Sequence, residues 1–303
     1  MHRLLILSKH ADAYRQLIGG ARLDDLDITT DESAADVAFG EPSLVAPAIA
    51  RLTKVRWVQA TWAGVEPLLD PSLRRDYILT NARGVFGGLM SEYVFAYMLA
   101  HERKLLEKYA AQRECRWDPA PPGTLAGKRL GLLGVGTIGA AIAKTAKHFG
   151  MRVRGYTRSS ENSADVDEYF HGADRIAFAR DLDYLVNTMP NTANTRKFVD
   201  EALLGALPSR AVFINPGRGS TVDESALVEA LRTNRLAGAV LDVFEREPLT
   251  HNNMFWWLPN VLITSHTAAL SFPEMIAPVF IENYRRFRAG QPLRYRVDFE
   301  AGY

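Results

Sequence analysis

Short apolar runs alternate with longer mixed stretches along the chain. Leu4–Ser8, Asp36–Gly40, Arg56–Thr61 and Tyr77–Asn81 read as buried strands, with a helix expected over Ser43–Leu52. A helix capped by Ser91 is expected to run to about Arg113. Its apolar positions include Val94, Phe95, Met98, Leu99, Leu105, Leu106 and Tyr109, a band wider than one surface stripe needs, which predicts more than one partner surface. Asp118-Pro-Ala-Pro-Pro-Gly123 is a proline-rich linker. Beyond it the alternation resumes with Leu130–Leu133, Arg152–Tyr156, Asp183–Thr188, Ala211–Asn215, Ala239–Phe244 and Val261–Thr264. Helices fill the gaps, for example Asp223 to Arg235. Ser271-Phe-Pro-Glu274 has capping-box spacing and opens a last helix to about Arg288, closed by Gly290. Pro278 lies inside it, which predicts a kink or a later start. This alternation defines an α/β protein with parallel sheets, the later six strands forming a doubly wound sheet.

The strand Leu130–Leu133 runs directly into Gly134-Val-Gly-Thr-Ile-Gly139, and Ala140–Lys147 beyond is rich in helix formers. Glycines at G-x-G-x-x-G spacing also occur in ordinary turns. The strand before and the helix after give this one its dinucleotide reading. Gly134 allows the tight turn, Gly136 lets a pyrophosphate approach the backbone, and Gly139 lets helix and strand pack closely. The helix N-terminus offers free N–H groups and a positive dipole end to the phosphates.

Composition narrows the picture further. The 303 residues are 47% hydrophobic and 23% charged, as in a globular protein with a substantial core. A net charge of +1 gives no reason to expect a nucleic acid or an anionic membrane as partner. The single cysteine, Cys115, excludes a disulfide within the chain and argues against a cysteine metal site; no metal is expected, and a reducing cytoplasm fits. The apolar run at the N-terminus is too short for a signal peptide. Leu130–Ala143 is too short to span a bilayer, and His251–Pro273 is interrupted by polar residues and proline.

Three segments near the C-terminal ends of expected strands carry candidate chemistry, because ligands of open α/β sheets bind there. Phe213-Ile-Asn-Pro-Gly-Arg-Gly-Ser220 displays Arg218 between two glycines, where a guanidinium can grip a carboxylate. Leu241-Asp-Val-Phe-Glu-Arg-Glu-Pro248 places Asp242 within an apolar strand and Glu247 after it. Val261-Leu-Ile-Thr-Ser-His-Thr-Ala268 sets His266 directly after a buried strand; the other six histidines read as structural. Taken singly, Arg218 reads equally as a surface arginine, Glu245 and Glu247 as solvated loop acids, and His266 as a hydrogen-bonded structural histidine. Their joint placement after strands of one dinucleotide-binding sheet shifts the balance towards an active site.

With these residues the chain resembles the D-isomer-specific 2-hydroxyacid dehydrogenases. The resemblance is carried by Gly134-x-Gly-x-x-Gly139, Asn215-Pro-Gly-Arg-Gly219, Asp242-Val-Phe-Glu-Arg-Glu-Pro248 and Thr264-Ser-His266. It extends to Thr61-Trp-Ala-Gly-Val-Glu66, to Glu92 and to Val297-Asp-x-x-x-Gly-Tyr303, which fits the short bacterial glyoxylate/hydroxypyruvate reductases. It implies two Rossmann-like domains, the cofactor domain (97–273) inserted in a substrate domain (1–96 and 274–303), with a cleft that closes on the substrate. It implies that Arg218 holds the substrate carboxylate and carbonyl, that His266 is the general acid, and that Glu247 orients it. It implies that Trp62, Ala63, Gly64 and Val65 offer backbone N–H groups to the carboxylate. The cofactor set it implies is Gly134, Gly136, Thr137, Ile138, Gly139, Thr157, Arg158, Ser159, Pro190 and Asp242, with Asp242 facing the nicotinamide. A homodimer, in part through the helix from Ser91, is expected.

The acid that binds the NAD ribose usually lies about 20 residues past the glycines. Here Met151-Arg-Val-Arg-Gly-Tyr-Thr-Arg-Ser-Ser160 has Thr157 at that position, and no carboxylate before Glu161. Thr157, Arg158 and Ser159 suit a 2′-phosphate, so NADPH is expected over NADH; the alternative is a solvated Arg158 and continued NADH use. The expected activity is NAD(P)H-dependent reduction of a small 2-oxo acid to the D-2-hydroxy acid. The alternatives are an NAD-linked dehydrogenase of a larger hydroxy acid, whose pocket Trp62, Phe86, Met90 and Phe255–Trp257 could shape although they read equally as core, and a dinucleotide-sensing protein without significant turnover. Formate dehydrogenases share the fold but pair their histidine with an amide, against which Glu247 argues.

Overall fold

A computed structural model describes residues 1–302. The chain divides into two compact units, Met1–Val85 with the chain from Leu270 on, and Phe86–Ala269. The division falls at 85/86 and 269/270 rather than at the expected 96/97 and 273/274. The first of those expected boundaries would cut a helix that is continuous over Gly87–Glu102.

The first unit begins β1 (His2–Leu7), α1 (Ala11–Gly20), β2 (Leu26–Thr29), β3 (Val37–Gly40), α2 (Pro42–Val45), β4 (Trp57–Ala60) and β5 (Ile78–Thr80). Its strands are all parallel in the order β2-β1-β3-β4-β5, a flavodoxin-like arrangement. The edge strand β2, Leu-Asp-Ile-Thr, gives no clear strand signal in the sequence because half of it is polar. The helix expected over Ser43–Leu52 is a single turn, α2, since Pro47 has no N–H to give to a continuing helix.

The second unit opens with α3 (Gly87–Glu102) and α4 (Leu105–Arg113), which replace the one long helix expected. Lys104 between them is left-handed, with φ 53°, and the Gly123 amide takes the Glu102 carbonyl at 2.7 Å. Ser91 lies inside α3 rather than capping it. There follow β6 (Arg129–Leu133), α5 (Thr137–His148), β7 (Arg152–Tyr156), β8 (Glu168–Phe170), α6 (Arg175–Ala179), β9 (Tyr184–Asn187), α7 (Glu201–Ala206), β10 (Val212–Asn215), α8 (Glu224–Arg232), β11 (Gly238–Leu241) and β12 (Val261–Ile263). These strands form a parallel sheet in the order β12-β11-β10-β9-β6-β7-β8. The order reverses between β6 and β9, the switch point where doubly wound sheets bind dinucleotides.

Period-two alternation explains why this sheet is covered on both faces. Leu130, Leu132, Val186, Ile214 and Val240 join one core with Val94, Phe95, Met98 and Ile142. Leu133, Leu185, Phe213 and Leu241 face the opposite core, with Leu203, Leu227 and Leu231.

The chain then returns to the first unit as α9 (Pro273–Arg288). Phe272 is its N-cap, so the helix starts later than the Ser271 capping box predicts, with Pro273 at its first position and Pro278 inside. Phe280 stacks on Trp57 at 5.2 Å, and α1 packs on the same helix. A buried polar chain pins α9 to the sheet. Trp57 Nε1 donates to Thr80 Oγ1 (2.8 Å), Thr80 Oγ1 to Gln59 Oε1 (2.8 Å), and Asn283 Nδ2 to the same Gln59 oxygen (3.0 Å).

Candidate active site

In the second unit, β10, β11 and β12 are neighbours, and each is followed by one residue of the expected catalytic set. Beyond β12, His266 Nδ1 lies 2.8 Å from Glu247 Oε2. Nδ1–H therefore donates to the carboxylate, and Nε2, which has no hydrogen-bond partner among the described residues, faces outward. The other Glu247 oxygen accepts from the Phe244 amide at 3.0 Å. The Glu247–Pro248 peptide is cis.

The bond from Glu247 is the main reason the His266 imidazole is raised above its ordinary pKa; burial and the Arg218 charge oppose it. Burial pushes the Glu247 carboxyl up, but the bonds from His266 and the Phe244 amide, with the charges of His266 and Arg218, hold it below the usual range. The pair thus favours imidazolium and carboxylate, the state a general acid needs before it gives up its proton.

His266 sits at φ 55°, in the left-handed region that histidine enters more readily than most residues. Asp242 brackets it. Its carbonyl accepts the His266 amide at 2.8 Å, and its carboxylate accepts the Thr267 amide (2.8 Å), the Ala268 amide (3.0 Å) and the Thr264 hydroxyl. Thr264 is in turn bonded to Tyr93 on α3 at 2.9 Å. Asp242 lies just past β11, not within a strand, because β11 ends at Leu241 and the Thr264–Ala268 segment turns across its end. Both of its carboxylate oxygens accept bonds from that segment.

Arg218 follows β10 and is half-buried; its Nη1 donates to the Gly217 carbonyl at 2.8 Å. Beneath it, Asn187 Nδ2 donates to Asn215 Oδ1 (2.8 Å) and Thr221 Oγ1 (2.7 Å), while Thr221 Oγ1 donates to the Arg218 carbonyl (2.6 Å). Sequence reasoning misses this support, and Tyr93 with it. The available signal is a buried polar residue ending each strand: Asn187 on β9, Asn215 on β10 and Asp242 after β11.

The glycine turn sits at the switch point. Gly134 has φ +89°, and its carbonyl accepts the Thr188 hydroxyl at 2.8 Å. A Cβ on Gly139 would lie 2.3 Å from the Gly134 carbonyl oxygen, so only glycine lets α5 start here. A Cβ on Gly136 would meet nothing within 4 Å. Gly136 is the N-cap of α5 with no side-chain capping bond, and the amides of Thr137, Ile138 and Gly139 open the helix without intrahelical acceptors. That bare cradle fits a pyrophosphate. Pro190 is exposed beyond the neighbouring strand β9, its carbonyl accepting from Thr195 Oγ1 at 2.7 Å.

After β7, Arg158 and Ser159 are exposed, but Thr157 is buried. The Thr157 hydroxyl donates to the Ser160 carbonyl at 2.7 Å, a bond that closes the loop. Of the aromatic cluster, Phe255 is core, while Trp256 and Trp257 are exposed. Among the described residues, no group of three or more His, Cys, Asp or Glu side chains could hold a metal ion, and no helix is long and apolar enough to cross a membrane.

In the first unit the turn Trp62–Val65 follows β4. The Ala82 amide donates to the Trp62 carbonyl (3.0 Å) and Asn81 Nδ2 to the Ala63 carbonyl (2.8 Å). In a trans peptide, N–H and C=O point oppositely, so both bonds turn the Ala63 and Gly64 amides away from Asn81 and Ala82. Neither amide has an acceptor among the described residues. Two adjacent free N–H groups make an anion-binding concavity.

A dinucleotide-type turn and a carboxylate-oriented histidine on one doubly wound sheet define a nicotinamide-linked oxidoreductase. The sequence model described as D-isomer specific 2-hydroxyacid dehydrogenase, NAD binding domain, matches residues 95–268, and the chain belongs to that family. It is 32% identical over 264 residues to glyoxylate/hydroxypyruvate reductase A of Serratia proteamaculans, covering 84% of each chain. Among solved structures, a family member from Aeromonas salmonicida is 39% identical, with TM-score 0.93 over 98% of this chain and 99% of that one. An NADPH-dependent glyoxylate/hydroxypyruvate reductase from Sinorhizobium meliloti, in complex with NADP and sulfate, is 29% identical, with TM-score 0.88 over the full length of both chains.

Proposed function

We propose that this protein reduces a small 2-oxo acid of the glyoxylate or hydroxypyruvate type to the D-2-hydroxy acid, with NADPH as reductant. The observation that carries the reading is the His266–Glu247 pair, with Nδ1 bound to the carboxylate and Nε2 open. When bound, the reduced nicotinamide supplies a hydride to C2 of the oxo acid. His266 gives its Nε2 proton to the carbonyl oxygen as negative charge gathers there, and Glu247 stabilises the imidazolium until it does. Arg218 holds the carboxylate and carbonyl through its guanidinium fork. In the first unit, the Ala63 and Gly64 amides are neutral donors suited to a carboxylate. Gly134, Gly136 and Gly139, with the amides of Thr137 and Ile138, hold the pyrophosphate. Pro190 lines the cofactor site past β9.

Support for NADPH comes from the loop after β7, which has exposed Arg158 and Ser159 and no carboxylate before Glu161. The named relatives from Serratia and Sinorhizobium support the substrate class. A homodimer accounts for the exposed Leu105, Leu106 and Tyr109 on α4 and for Trp117 beyond it. A cytoplasmic location suits the free Cys115. The deciding experiment follows reduced-nicotinamide absorbance with glyoxylate, hydroxypyruvate and phenylpyruvate, each with NADPH and NADH. Turnover of the two small acids with NADPH is the expected outcome. Preference for phenylpyruvate or for NADH overturns the corresponding half of the reading, and tight NADPH binding without turnover points to a sensor.

A further inference from the structure

A histidine, His171, closes the loop after β7. His171 Nδ1 lies 3.0 Å from the Thr157 carbonyl and 3.2 Å from the Thr157 hydroxyl, whose own proton goes to Ser160. Its Nε2 lies 2.8 Å from Glu161 Oε1. Nδ1 therefore meets only acceptors, and Nε2 meets a carboxylate. A neutral imidazole has one N–H and satisfies one side; only the imidazolium satisfies both. The ring clamps both ends of the segment 157–161, and Arg158 and Ser159 are displayed between its two anchors.

From this geometry we infer that the His171 imidazolium fixes the loop that recognises the 2′-phosphate of a phosphorylated nicotinamide dinucleotide, and so sets the preference for NADPH over NADH in a pH-dependent way. The inference rests on the NADPH reading above. The charged groups facing His171 are Glu161 on the loop and Asp174 on the turn beyond β8; the Tyr169 ring lies parallel to it at 6.4 Å. The bonds to Glu161 and Thr157 and the two carboxylate charges raise its pKa above the ordinary histidine value. Clamp and charge are therefore present below that raised pKa and are lost as pH climbs through it.

The test is a fluorescence titration of the full chain with NADPH and with NADH, from about pH 7 to about pH 9, above the second ionisation of a phosphate monoester. The wild-type ratio of NADH to NADPH dissociation constants should fall about tenfold across that range. In His171→Gln, which keeps one bond but carries no charge, the ratio should start low and stay flat. In Glu161→Gln the fall should move to lower pH, because the carboxylate that raises the imidazolium pKa is gone. A NADPH preference that His171→Gln retains at every pH overturns the inference alone. No NADPH preference in the wild type at any pH overturns the NADPH reading and the inference together.

Discussion

His266 binds Glu247 through Nδ1, at 2.8 Å, and this one bond decides which nitrogen faces the chemistry. It fixes the ring orientation, leaves Nε2 outward, and raises the imidazole pKa while holding the carboxyl pKa down.

A pH profile follows from those directions. Reduction of the 2-oxo acid needs His266 protonated, so kcat/KM for reduction should be level below its raised pKa and fall as pH rises through it. Oxidation of the hydroxy acid needs the neutral base and should rise through the same midpoint. Glu247→Gln removes the carboxylate that raises that pKa, so both midpoints should move to lower pH. A reduction midpoint left unchanged by Glu247→Gln would show that Glu247 is not the partner that sets it.

Substitution of the two groups separates their work. His266→Ala removes the proton donor and should lower kcat by roughly 10²–10⁴-fold, with the KM for NADPH little changed. Arg218→Ala should mainly raise the KM for the 2-oxo acid, and Arg218→Lys should restore little of it, since a point charge does not reproduce the bidentate fork. Steady-state kinetics with saturating NADPH reads both; wild-type kcat in purified His266→Ala would sink the assignment.

Much of this is legible in the residues. Strand, glycine turn and helix in succession mark β6 as the switch-point strand, and His266, Glu247 and Arg218 stand out because each follows an apolar run. What is not legible depends on contacts between distant segments. The break at Lys104 depends on Gly123 taking a helical carbonyl, and Asp242's hold on Thr264–Ala268 depends on a turn 22 to 26 residues away. The inward turn of the Thr157 hydroxyl requires knowing where Ser160 lies. Edge strands β2 and β8 escape notice because a short, half-exposed strand carries little apolar signal.

Asn81 offers a test of the carboxylate turn that leaves the acid–base pair untouched. Its Nδ2 bond to the Ala63 carbonyl holds the Gly64 amide pointing the other way. Asn81→Ala removes that hold, and Asn81→Asp replaces the donor with an acceptor facing a carbonyl. Both should raise the KM for glyoxylate about three- to tenfold, the aspartate variant more, with the KM for NADPH unchanged. Parallel rises in both KM values would mean a general loss of structure rather than a loosened turn.

The same small substitution should act in opposite ways at two glycines three residues apart. On Gly139 a Cβ would lie 2.3 Å from the Gly134 carbonyl oxygen, a backbone atom that cannot yield without moving α5. Gly139→Ala should therefore cost about 1–3 kcal/mol of stability, read as an earlier midpoint in urea, with cofactor affinity falling as the turn shifts. On Gly136 a Cβ meets no protein atom within 4 Å. Gly136→Ala should unfold like the wild type yet bind NADPH far more weakly, because the added methyl occupies the space through which the pyrophosphate reaches the α5 amides. Isothermal titration beside urea unfolding resolves the two effects. If Gly136→Ala binds NADPH normally, the phosphates do not lie over this turn.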